Sequence, residues 1–420
     1  MRMVIENGHV VDPATGFNGV RQVYIENGLI SEGFEGNPDR IIDATGLTVF
    51  PGLIDAHCHL REPGHEYRED IVSGTKSAAK GGFTTVACMP NTVPVCDHAA
   101  LVRFIKEKSA KEGYARVLPI GALSKEQKGL ELAEIGLMAA EGIVAVSDDG
   151  RPVERADIMR KGMLYASHFG LTVISHCEDL SLAEGGHMNE GFWSTSLGLR
   201  GIPTVSESMM VARECLLSEY LKLPVHIAHV SARASVDLIR AAKAKGVQVS
   251  AETCPHYFTL TDQACRGFDT NAKMNPPLRA QEDVDAVIQG LQDGTIDVIA
   301  TDHAPHHLDE KDLEFGLANN GIVGFETALA LGYTFLVRTG LLTLTQWLAT
   351  MTINPARLLQ PDLGTLMPGR PADLVLVDLE NPFTFNRDAM LSKARNTPFH
   401  GWNLYGRVQL TICDGRITYE

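Results

Sequence analysis

Two histidines one residue apart, His57 and His59, close an apolar run and flank Cys58. Side chains alternate along an extended chain, so both imidazoles face one side and can grip a single cation while Cys58 points away. Further on, His176 and His229 each close an apolar run, Asp148-Asp149 follows another, and Asp302 ends a fifth. Four neutral imidazole nitrogens suit zinc. Two zinc ions roughly 3.5–4 Å apart need an anion between them to offset their repulsion, and the Asp148-Asp149 pair can supply it. The same pair before Gly150 can instead be a solvated turn, and alternation alone does not choose between the two aspartates. Asp302 can hold an ion and move a proton. The ion lowers the pKa of bound water toward ~7, the carboxylate accepts the proton as the C–O bond forms, and the leaving amide nitrogen then receives it. Metal-assisted hydrolysis is the chemistry implied, although each histidine taken alone is equally a hydrogen-bonded core residue.

Such a set works only on a scaffold that gathers strand ends. Eight buried-strand runs alternate with amphipathic helical stretches, the rhythm of parallel βαβ units. They are residues 53–57, 84–88, 116–120, 143–147, 172–176, 225–229, 248–252 and 298–302. The histidines and carboxylates fall at or just beyond the C-terminal ends of five of these runs, where a (β/α)8 TIM barrel keeps its catalytic groups. Leaving even a neutral polar group buried and unpaired costs roughly 2–7 kcal/mol, so five such ends argue for a shared ion. An open doubly wound sheet is the competing fold, but no GxGxxG turn follows the first strand.

The first fifty and last sixty residues have a different style. Met3–Gly8 and Val23–Gly28 alternate apolar and polar residues and end in Asn-Gly, a hairpin signal, and Ala372–Val377 and Val408–Gly415 read as strands closed by turns. Neither end can build a core alone. The expected organisation is therefore an α/β chain in which residues 1–50 and 363–420 pair into one small β-sandwich and residues 51–362 form the barrel.

Composition narrows the function further. Lys plus Arg number 37 against 52 Asp plus Glu, a net charge of −15 that opposes nonspecific binding to nucleic acid or anionic lipid. The N-terminus lacks the apolar core of a signal peptide and no stretch approaches ~20 apolar residues, so the cytoplasm is the expected location. Eight cysteines without a CxxC pair are expected to be reduced core residues.

Asp55-Ala56-His57-Cys58-His59-Leu60-Arg61-Glu62-Pro63, and Ala300-Thr301-Asp302-His303-Ala304-Pro305-His306 followed by Lys311, resemble in order the two signatures of the dihydroorotases of the bacterial longer-chain type, within the amidohydrolase superfamily. The resemblance covers nearly the whole chain. Cys58 departs from the aliphatic residue usual between the two histidines. The family's activity is the interconversion of L-dihydroorotate and N-carbamoyl-L-aspartate in de novo pyrimidine biosynthesis, with two Zn2+ per chain. By resemblance His57, His59 and Asp302 hold one ion, His176 and His229 the other, and Asp149 bridges them. Many relatives bridge with a carboxylated lysine, which Ser147-Asp148-Asp149-Gly150 lacks.

The substrate carries a carboxylate, and Arg61, on the same side as His59, offers a planar fork for it. The resemblance adds Asn91, Asn275 and His306 as substrate contacts and the backbone of Asn320 and Gly321 as contacts to the ring. Asn319 and Asn320 stand where relatives carry an aromatic residue before the glycine. Residues 307–319, charged and poor in apolar side chains, read as a lid over the substrate or as an ordinary solvated loop. His256 in Thr253-Cys254-Pro255-His256 is given no ligand role. The alternatives are an allantoinase or dihydropyrimidinase, or a noncatalytic scaffold for aspartate transcarbamoylase. A homodimer is the expected assembly, and association with aspartate transcarbamoylase is a further option.

Overall fold

A computed structural model describes residues 1–420. All eight expected runs are strands: Leu53–Cys58, Phe83–Cys88, Arg116–Pro119, Ala145–Val146, Thr172–Ser175, Val225–Ile227, Val249–Thr253 and Val298–Ile299. Neighbours in this series pair in parallel as one group of three and one of five. Bridges Gly121↔Val146 and Cys58↔His303 join the groups at both ends, so the pairing runs from the first strand round to the last and back. Parallel pairing puts all eight C-terminal ends on one rim.

Two apolar layers hold the strands. Ile54, Ala56, Ala87, Ile120, Ala145, Ile174, Ala228 and Ala300 share a cluster with Ala356 and Leu359 of the helix Ile353–Leu359. Leu53, Val86, Val117, Val173 and Ile227, at alternate positions, belong to a larger cluster shared with the helices. Those helices follow from the period of their apolar residues. In Arg233–Ala244, Val236, Ile239 and Ala242 are buried and the charged residues between them face out. The helix Ile71–Lys80 starts on a reciprocal cap between Asp70 and Ser73. Fully burying one of the aliphatic side chains contributes about 1.5–3 kcal/mol.

Buried Asp55 fixes the first strand against the last. Its carboxylate accepts the Thr301 N–H at 2.9 Å, the Thr301 hydroxyl at 2.5 Å and the His57 N–H at 3.3 Å. The His57–His59 segment and Asp302 are thus held in one frame.

The termini form two sheets, one of four strands from residues 2–43 and one of six that interleaves both ends of the chain. Met3, Ile5, Ile25 and Ile42 of the first share an apolar cluster with Val10, Val49, Leu374, Leu376 and Ile412 of the second. Arg116 joins this unit to the strand ring through Asp373 at 2.6 Å and through Asp414. Residues 383–404 depart from the expected division. Phe385, Met390, Phe399 and Leu404 pack with Tyr257, Met274 and Ile322, outside the cluster of the terminal sheets. All eight cysteines are buried and free. No helix is long and apolar enough to cross a membrane.

Candidate metal centre and the pocket around it

At the rim of strand ends, Asp149 stands among four imidazoles. Its Oδ1 lies 3.3 Å from His57 Nε2, 3.3 Å from His229 Nε2 and 3.6 Å from His176 Nδ1, and its Oδ2 lies 3.6 Å from His59 Nε2. Asp302 joins from the last strand, with Oδ1 3.1 Å from His59 Nε2 and 3.6 Å from His57 Nε2. Ligand atoms of His57, His59 and Asp149, and separately of Asp149, His176 and His229, lie within 4.8 Å of one another. Two adjoining metal-sized nests thus share one carboxylate.

The adjacent aspartates point in different directions. Asp148 turns away and accepts the N–H groups of Leu123 and Ser124 at 2.8 and 3.0 Å. Burial pushes its carboxyl up to about 6. Asp149 goes the opposite way. Burial raises its pKa, but the surrounding histidines, His57 foremost, hold it well below the carboxylate range.

The donor set fits a pair of zinc ions. His57 Nε2 is buried without a hydrogen-bond partner, and His176 Nδ1 faces His229 Nε2 at 2.8 Å, an arrangement that a shared cation satisfies on both sides. The charge balance points the same way. Burial opposes a proton on His57, yet Asp149, Asp302 and Glu252 draw its pKa well above the imidazole range. Burial also opposes charge on His176, and hydrogen bonds to Asp149 and Glu178 bring it up to about 10. Carboxylates that attract protons this strongly attract a divalent cation in their place. A third grouping, Cys254 with His256 and Asp302, shares Asp302 with the centre. Burial holds the Cys254 thiol well above its usual range, and burial holds His256 at about 4. A protonated thiol is a poor ligand.

Three of the four imidazoles are oriented from behind, whereas His229 Nδ1 is buried without a hydrogen-bond partner. His57 Nδ1 meets Glu252 Oε1 at 2.7 Å, His59 Nδ1 meets Asn91 Oδ1 at 2.9 Å, and His176 Nε2 meets Glu178 Oε2 at 3.2 Å. The other oxygen of Glu252 takes His226 Nε2 at 3.2 Å. Burial alone would raise the Glu252 pKa, but His57 and His226 pull it far below the carboxylate range. Glu252→Gln is expected to weaken zinc binding by about 10–100-fold, because an amide can donate to the imidazole and so no longer fixes which nitrogen faces the ion. Zinc titration against a competing chelator reads this directly, and unchanged affinity would remove Glu252 from the centre.

A cavity of about 470 Å³ opens over these groups. Of the expected substrate contacts, Arg61, Asn91, Asn275, His306 and Asn320 line it together with His59, Asp149, His176, His229 and Asp302. His57 lies fully buried beneath it, and Gly321 stands behind the wall, its carbonyl held by Lys311 and Asn396. Asn91 and Asn275 also serve neighbours, since Asn91 orients His59 and Asn275 donates to Glu178 at 3.2 Å. Arg68 and Arg151 line the same cavity and were not among the expected contacts.

Arg61 is the strongest sign of the ligand's charge. The guanidinium is buried, contacts the Pro305 carbonyl at 3.1 Å and His306 Nε2 at 3.3 Å, and meets no carboxylate of the chain. Burial, then the charge of Arg68, lower its pKa to about 10. Burial, followed by Arg61, also pushes His306 well below the imidazole range, so that ring is neutral. A desolvated, unneutralised cation on a cavity wall calls for an anion. Arg61, His229 and Asp302 have φ of +61°, +32° and +44°, a left-handed region that non-glycine residues seldom adopt. Such strain gathers where surroundings fix a working geometry.

Glu252 and Glu178 were missed in the sequence. Glu252 ends the seventh strand, so the strand-end rule that finds Asp302 also reaches it. Glu178, two residues past a strand-end histidine, carries no comparable signal.

Comparison with known proteins gives matches along the whole chain. Residues 46–235 match the dihydro-orotase-like family and residues 222–419 the amidohydrolase family. The dihydroorotase of Acetivibrio thermocellus is 56% identical over 418 residues, covering 99% of this chain and 98% of its own. That of Geobacter metallireducens is 52% identical over 424 residues, covering 100% of both. Among solved structures, L-hydantoinase (dihydropyrimidinase) from Arthrobacter aurescens matches with a TM-score of 0.89 at 24% identity, over 99% of this chain and 95% of its own. Dihydropyrimidinase from Brevibacillus agri NCHU1002 matches with 0.86 at 24% identity, with the same coverage. At that identity the likeness concerns the fold.

Proposed function

The chain belongs to the dihydroorotase family, and from that premise we propose that the pocket interconverts L-dihydroorotate and N-carbamoyl-L-aspartate, with Asp302 moving the proton. We read the ring of paired strands as a (β/α)8 barrel and the two terminal sheets as a β-sandwich. The observation that carries the site assignment is the carboxylate-free Arg61 on the wall of a cavity whose floor is Asp149 among four imidazoles.

His57, His59 and Asp302 would hold one zinc ion, His176 and His229 a second, with Asp149 between them. When bound, such ions supply Lewis acidity that polarises the ring carbonyl and makes water nucleophilic near neutral pH. The chain's own groups do the rest. Arg61, neutral His306 and the amides of Asn91 and Asn275 surround the space for the substrate carboxylate and so fix the ring over the centre. Asp302, ionised and buried, takes the proton of the attacking water as the new C–O bond forms. As the ring C–N bond breaks, the same carboxyl gives that proton to the departing nitrogen, and the electron pair of the broken bond goes with it. Ring closure runs these transfers backward through the same group.

Arg61→Met tests the orientation of the ring. Removing a charge-assisted contact worth about 1.5–3 kcal/mol is expected to raise KM for dihydroorotate roughly 10- to 150-fold. The activity on dihydrouracil, the same ring without the carboxylate, is expected to stay where it was. Steady-state assays on both rings at matched zinc content decide it. An equal loss on both rings, or none on dihydroorotate, would overturn the assignment.

A further inference from the structure

Two buried ammonium groups lie behind the pocket wall with no carboxylate paired to either. Lys273 and Lys311 are each 4% exposed. Lys273 Nζ donates to the carbonyls of Gly316 at 3.2 Å and Ala318 at 2.6 Å. Lys311 Nζ donates to those of Asn319 at 2.8 Å and Gly321 at 3.2 Å. Between them, the Asn320 carbonyl meets His306 Nε2 at 2.8 Å. The stretch from Gly316 to Gly321 is therefore gripped by its carbonyls, and Asn319 and Asn320 of that stretch line the cavity.

The geometry of a trans peptide gives this grip a direction. The Asn319 carbonyl and the Asn320 N–H belong to one planar unit and point opposite ways. With the carbonyl drawn to Lys311, the N–H is turned away from it, and that N–H donates to no group of the chain. A hydrogen bond donated to the carbonyl also polarises the peptide and strengthens its donor end.

We propose that Lys273 and Lys311 are positioning residues for the substrate ring, holding the 316–321 segment so that the Asn319–Asn320 peptide offers its N–H to a ring carbonyl. A purely structural role accounts poorly for the choice of residue. Neutral amides can satisfy carbonyls without burying charge, and two like charges side by side raise the cost of burial. That cost is visible in Lys311, which burial, followed by the charge of Lys273, brings down to about 7.

The inference rests on the reading that the loop backbone at Asn320, which lines the cavity, faces the ring, and Gly321→Ala, which displaces that backbone from behind, tests that reading separately. Gly321 has φ +152°, and a Cβ there would lie 2.6 Å from the Ala304 carbonyl oxygen, so the segment must shift. Lys311→Met and Lys273→Met are expected to raise KM for dihydroorotate about tenfold or more, with kcat within about threefold and zinc content unchanged. In the Asp302→Asn background, calorimetry is expected to show the same loss in Kd for dihydroorotate. Unchanged KM and Kd in the lysine variants, or a fall in kcat or zinc content without a change in KM, overturns the proposal. If Lys311→Met does not fold, Lys273→Met reads the same quantities from the other half of the grip. An increase in KM in Gly321→Ala alone defeats the lysine inference only, whereas no change in Gly321→Ala defeats the underlying reading of the loop.

Discussion

Asp302→Asn is expected to lower kcat for dihydroorotate by about 10³-fold, within the roughly 10²–10⁴ that a positioned proton carrier contributes, while KM changes far less. Burial raises the pKa of this carboxyl, but His57 and His59 bring it below the ordinary range, so it is ionised and able to accept a proton. Its left-handed backbone is held on both sides. The preceding Thr301 is tied to Asp55, and the following His303 bridges to Cys58. Asparagine keeps the shape and one oxygen for an ion but has no site that takes up and returns a proton. Because one group serves both directions, ring opening and ring closure are expected to slow together. Steady-state assays in both directions, with zinc counted per chain, check this. If kcat stays within about tenfold of wild type at equal zinc content, Asp302 is not the proton carrier.

The group proposed to move the proton could be found from the sequence because of where it sits. Strands buried on both faces leave continuous apolar runs, and a carboxylate or imidazole at the end of such a run has few purely structural uses. That rule finds the six proposed ligands. It does not separate Asp148 from Asp149, because alternation gives opposite faces without saying which is inward, and the N–H groups of Leu123 and Ser124 that claim Asp148 come from a different strand end. Glu252 satisfies the same rule, but its partner His57 lies 195 residues away and nothing local announces the pairing. The lysine grip is harder still. Nothing near Lys273 or Lys311 in the sequence announces burial, and the carbonyls that accept from them belong to residues 316–321, which fold back against both. Residues 307–319 accordingly include inward-packed Lys311, Phe315 and Ala318 beside the exposed charges expected of a polar loop. Residues 383–404 lack any sustained period, so their apolar side chains find their place through distant partners such as Tyr257 and Met274.

The adjacent aspartates offer the sharpest contrast. Asp149→Asn is expected to leave at most one zinc ion per chain and to lower kcat by about 10³-fold or more, because activity through a paired site requires both ions. At an effective dielectric near 20, two divalent cations within about 4 Å of each other repel by more than ten kcal/mol. A carboxylate between them offsets much of that repulsion, and a neutral amide of the same shape does not. The distances give Asp149 that place, since its two oxygens face imidazoles from both nests. Asp148→Asn changes the same chemistry one residue earlier and is expected to keep both ions. Burial already pushes the Asp148 carboxyl to about 6, and an amide oxygen can go on accepting the Leu123 and Ser124 N–H groups. Its effect is expected in stability, at about 1 kcal/mol for one weakened buried hydrogen bond, readable by denaturant titration. Zinc counted per chain in the two variants separates the roles. Loss of an ion in Asp148→Asn with two retained in Asp149→Asn would reverse the assignment, and two ions retained in both would mean that neither carboxylate bridges.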